Sequence, residues 1–107
     1  MSEPRLEPHT IVLLRRPADA PDLPEPDLDR VQAAHLGHLF ELRDRGLLAV
    51  SGPFADQEDD SLRGLCLFRC GVEEARTLMA ADPSLRAGRL YADVLTWLTA
   101  PGSLPLD

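Results

Sequence analysis

The sequence predicts an α+β domain in which a four-stranded antiparallel sheet carries two helices on one face. Three observations predict it. Short aliphatic runs such as Ile11-Val12-Leu13-Leu14 alternate with two longer stretches at helical spacing. Their order reads β-α-β-β-α-β, the split arrangement of the ferredoxin-like sandwich. Pro, Gly and Asp fall where each element has to stop. With 107 residues, 44% of them hydrophobic, the chain suits one domain with a modest core.

His9 to Arg16 reads as the first strand. The loop from Pro17 to Pro26 holds four prolines and three acids, which excludes helix and central strand. Asp27 then suits an N-cap for a helix to about Arg45, and Gly46 suits its left-handed end. A second strand over Leu47 to Val50 stops at Ser51-Gly52-Pro53, and a third follows from Leu62 to Cys70. The acidic residues Asp56 to Asp60 between them form a solvated turn. A second helix spans Val72 to Ala81, is ended by Pro83, and gives way to a fourth strand over Leu90 to Leu98. The domain thus covers residues 8–98, between an N-terminal arm (1–7) and a C-terminal tail (99–107).

The strand cores are apolar at consecutive positions, so both sheet faces need cover, and the two helices cover only one. A second copy packed face to face is the natural cover, giving a homodimer; the tail folded over the same face is the alternative. Tyr91 and Trp97 lie six apart on the last strand and share a side with Asp93 and Leu95, in a dimer interface or a ligand pocket.

Charge narrows the partners. The net charge of −7 argues against nucleic acid and against an anionic membrane surface. All eleven cations are arginines, which excludes a Schiff-base lysine. Arg15, Arg16 and Arg30 are candidate anion contacts, though isolated charges decide nothing. No run resembles a signal peptide or a membrane span, so the expected setting is cytoplasmic. Cys66 and Cys70 fall roughly 13 Å apart on one strand, too far for a disulfide, and read as reduced packing residues.

The chemistry-bearing residues are polar groups in apolar surroundings. His35 lies in the stripe Leu28, Val31, His35, Leu39 and Leu42 of the first helix. Asp82 returns to the buried side of the second helix, marked by Val72, Ala75, Leu78 and Met79. If the two meet, the carboxylate fixes the imidazole tautomer and frees the other nitrogen for acid/base work. The alternative is a core hydrogen bond with no chemistry, and spacing alone leaves both open. His38, at the stripe's edge, is a substrate-binding candidate with Ser51, Gly52 and Pro53, whose small size lets a ligand approach the backbone. Ser51 lacks a nucleophile-elbow context. No HxH, HExxH, phosphate-loop or dinucleotide motif occurs, so neither metal nor organic cofactor is expected.

The set Ala34-His35-Leu36, Gly46-Leu47-Leu48 and Ser51-Gly52-Pro53-Phe54, followed by Glu74-Ala75, Asp82-Pro83 and Ala87-Gly88, resembles the YCII-related (YciI-like) family. The resemblance spans about residues 8 to 98. It implies a dimeric α+β barrel in which His35 and Asp82 match the family's acid/base pair beside the sheet. Lyase-like or isomerase-like chemistry on small molecules would follow. The Pro17 to Pro26 insertion and the C-terminal tail lengthen the family pattern. The leading expectation is therefore a cofactor-independent small-molecule enzyme, and its rival a non-catalytic dimeric module that binds a metabolite or a protein.

Overall fold

The computed structural model describes residues 5–104. Strand β1 (Glu7–Arg15) leads to helix α1 (Glu25–Asp44), strands β2 (Leu48–Pro53) and β3 (Leu62–Phe68), helices α2 (Val72–Ala80) and α3 (Pro83–Arg86), and strand β4 (Tyr91–Thr99). The strands form one antiparallel sheet in the order β2-β3-β1-β4. This is the ferredoxin-like α+β arrangement expected from the sequence. No helix among the described residues is long and apolar enough to cross a membrane.

Alternation along the strands divides the sheet into two faces. Thr10, Val12 and Leu14 of β1 point to the helices and are buried, with Cys66 and Phe68 beside them on β3. Leu39 and Leu42 of α1, Ala75 and Met79 of α2, and Leu48 of β2 close this core. On the opposite face Ile11 pairs with Leu67 and Leu95, and His9 pairs with Trp97. Leu67 is buried there, but Tyr91, Leu95 and Trp97 remain 44–45% exposed, so the β4 side of this apolar face is uncovered in the single chain. Asp93 shares it and accepts from Arg15 Nε at 2.7 Å.

Several boundaries differ from the sequence expectation, each for a physical reason. Helix α1 begins at Glu25 with Pro24 as N-cap, so Asp27 is a first-turn residue paired with Arg30. Pro26 is tolerated because first-turn N–H groups have no intrahelical acceptor, and acids there favour the helix dipole. Strand β2 does not stop at Ser51: it runs through Pro53, which pairs with Gly64. Being an edge strand, it accommodates a proline. Strand β3 ends at Phe68, leaving Cys70 beyond it. Pro83 opens α3 instead of merely ending α2, because Asp82 caps the new helix by accepting from the Ser84 N–H. Gly46 has φ 76°, the left-handed conformation expected after α1. The sheet takes in Glu7 and Thr99, one residue beyond each expected domain limit. Residues 1–4 of the arm and 105–107 of the tail lie outside the described residues.

Candidate active site

His35 projects from the middle of α1 and is 7% exposed; Asp82, ahead of α3, is fully buried. Their side chains meet, with His35 Nδ1 2.6 Å from Asp82 Oδ2. The other carboxylate oxygen, Oδ1, accepts from the Ser84 N–H and the Ser84 hydroxyl, each at 2.8 Å. Ser84 Oγ also lies 3.2 Å from Nδ1. Burial alone would raise the Asp82 pKa, but the hydrogen bonds from His35 and Ser84 outweigh it and hold the carboxyl below its ordinary value. Asp82 is therefore an acceptor, Nδ1 carries the shared proton, and Nε2 is the basic nitrogen.

Nε2 makes no hydrogen bond among the described residues, and His35 lines a cavity of about 530 Å³. The cavity lies between α1 and the β2–β3 edge. Ser51, Gly52 and Pro53 form part of its wall, as continuous strand and not as a loop. Leu36 and Phe40 of α1 contribute exposed apolar surface beside His35. His38 is not on this wall: its Nε2–H donates to the Leu78 carbonyl at 2.8 Å and ties α1 to α2. Of the candidate anion contacts, only Arg16 lines the cavity, since Arg15 pairs with Asp93 and Arg30 with Asp27.

Ser84, Arg43 and Arg63 belong to the site's surroundings, yet they had not stood out in the sequence. The signal for Ser84 was present: Asp82-Pro83-Ser84 is an N-cap, a proline at the first helical position and a serine able to bond back to the cap. Arg43 and Arg63 carried no such local signal, because two separate elements, α1 and β3, deliver them. Among the described residues no cluster of three or more His, Cys, Asp or Glu is placed to hold a metal.

No protein-family model and no curated protein matches the chain. Among solved structures it is similar to 5-chloro-2-hydroxyhydroquinone dehydrochlorinase from Burkholderia phenoliruptrix AC1100, in complex with 2,5-dihydroxybenzoquinone. The TM-score is 0.56 at 22% identity, covering 85% of this chain and 93% of that one, a likeness of fold.

Proposed function

We propose that the chain is a YCII-related small-molecule enzyme that moves a proton without an organic cofactor, in an elimination or isomerisation. One observation carries the reading: Asp82 holds His35 Nδ1, while the ring, its Nε2 free of hydrogen bonds among the described residues, lines a cavity large enough for a ring-sized molecule. In the forward step Nε2 takes a proton from a substrate carbon. The released electron pair moves into an adjacent carbonyl, or expels a leaving group. Asp82 stabilises the imidazolium so formed, Ser84 keeps the carboxylate in place, and Ser51 with the β2 backbone positions the substrate. The structural neighbour supports the reaction class, since a dehydrochlorinase removes the elements of HCl and such an elimination asks for a base.

The uncovered sheet face is proposed to pack against the same face of a second copy, completing a dimeric α+β barrel. His38 has a structural role in this reading, joining α1 to α2.

The test is deuterium incorporation or elimination, followed by proton NMR in heavy water, over a panel of small enolisable acids and halogenated hydroxyquinols. The wild type is expected to turn over at least one compound, and His35→Gln none while it still folds cooperatively. Saturable stabilisation by a compound with no product formed would turn the reading to a binding module. Loss of the fold in His35→Gln would make the pair a core strut.

A further inference from the structure

The His35 cavity carries a second feature that proton transfer does not use. Arg16, just past β1, Arg43 in the last turn of α1 and Arg63 on β3 all line it, and no aspartate or glutamate does. The whole chain nevertheless has 18 acids against 11 arginines. Arg15, Arg30, Arg45 and Arg76 each have a carboxylate within reach, whereas among the described residues Arg16, Arg43 and Arg63 have none, as is also true of Arg69, Arg86 and Arg89 away from the cavity or at its margin.

Arg16 is the telling member. Its Nε is buried and has no hydrogen-bond partner, the one such side-chain atom among the described residues. Burial first, then the nearby charges of Arg63 and Arg89, lower its pKa from the ordinary value. A guanidinium N–H without water or acceptor is costly, and like charges beside it add to the cost. An anion in the cavity would offset the like charges, and would accept from Nε once the guanidinium turns towards it. A planar guanidinium presents paired donors that match the two oxygens of a carboxylate. In a chain of net charge −7, the cavity also offers a local positive field that draws small anions away from the acidic surface.

We propose that the cavity takes a small organic acid in its anionic form, the oxyanion seated on Arg16 and Arg63 and the acidic carbon turned towards His35. Arg43, exposed at the end of α1, adds positive charge at the rim. The orientation towards His35 rests on the catalytic reading above; the anion seat does not.

The experiment follows the Arg16 Nε–Hε resonance by nitrogen-15 NMR during titration with benzoate, its neutral isostere benzamide, and inorganic phosphate. Benzoate is expected to move the resonance saturably and benzamide to leave it unmoved. Arg16→Gln should weaken benzoate by at least about tenfold. The proposal is overturned if neither benzoate nor phosphate moves the resonance at millimolar concentration, if benzamide binds as tightly as benzoate, or if folded Arg16→Gln keeps the wild-type affinity. Should Arg16→Gln fail to fold, Arg63→Gln decides. Its side chain is half-buried and makes only a 3.2 Å bond to the Asp60 carbonyl, so unchanged benzoate affinity there also overturns the proposal. Arg16-dependent binding without proton exchange in the wild type would sink only the catalytic reading.

Discussion

His35 Nδ1 and Asp82 Oδ2 lie 2.6 Å apart across 47 positions of the chain. One comes from the middle of α1 and the other from the turn between α2 and α3, so their meeting is set by the sheet that both helices cover. Because Oδ1 is occupied by both donors of Ser84, Oδ2 is the oxygen left for the imidazole.

The first prediction concerns the tautomer. In the neutral ring the proton belongs on Nδ1, which long-range nitrogen-proton NMR of His35 reads directly. Asp82→Asn keeps the cap but replaces one acceptor oxygen by a donor amide, so the preference is lost. Proton transfer should fall by about 10²–10⁴-fold. A ring that is Nε2-protonated in the wild type contradicts the assignment of Nε2 as base.

Asp82 also makes stability depend on pH. Its folded pKa lies below the ordinary 3.8, so the folded state favours the carboxylate. That contribution is fully present above about pH 4 and is lost as pH falls through the lower folded value. At pH 7 Asp82→Asn should cost about 1.5–3 kcal/mol, the usual worth of hydrogen bonds to a charged group. The gap between wild type and variant should close towards pH 2. Urea midpoints of both proteins at the two pH values measure it, and a gap that persists in acid would show that the charge is not what stabilises.

How much of this was legible in the sequence depends on how local each determinant is. The element order, the left-handed Gly46 and the polar residue inside the α1 stripe follow from periodicity and turn chemistry, which act within a few residues. The limits of β2 were misread because Ser51-Gly52-Pro53 stops a central strand but not an edge strand, and edge position is a property of the whole sheet. The His35–Asp82 contact was geometrically allowed but undecidable, since spacing fixes a face and not a distance. The convergence of Arg16, Arg43 and Arg63 was hidden for the same reason: only pairing of β1 with β3 under α1 brings them to one wall.

The thiols should differ in reactivity. Cys66 has no exposed surface, and burial, followed by the nearby charge of Asp82, pushes its pKa up to about 12. It stays a neutral thiol at pH 8 and should be inert to a disulfide reagent until the protein unfolds. Cys70, half-buried beyond β3, is raised first by burial and then by Glu74, and reacts slowly. Native protein should therefore titrate at most one thiol, and denatured protein two. Prompt labelling of native Cys70→Ser would show that the sheet opens around Cys66.

The last prediction concerns the uncovered sheet face. Leu95 and Trp97 lie next to each other on one side of β4, opposite Ile11 and His9, and are 45% and 44% exposed. If two copies bury this face against each other, Leu95→Asp places a carboxylate in the joint twice. Losing the burial of one leucine from each copy costs about 3–6 kcal/mol, enough to weaken association by at least about a hundredfold. Leu98→Asp is the control, because Leu98 is 54% exposed but alternates to the helix side of the same strand. Sedimentation velocity at micromolar concentration should show a dimer for wild type and Leu98→Asp, and a monomer for Leu95→Asp. A monomeric wild type would leave the apolar face without a second copy. Dissociation by Leu98→Asp alone would move the contact to the helix side of β4.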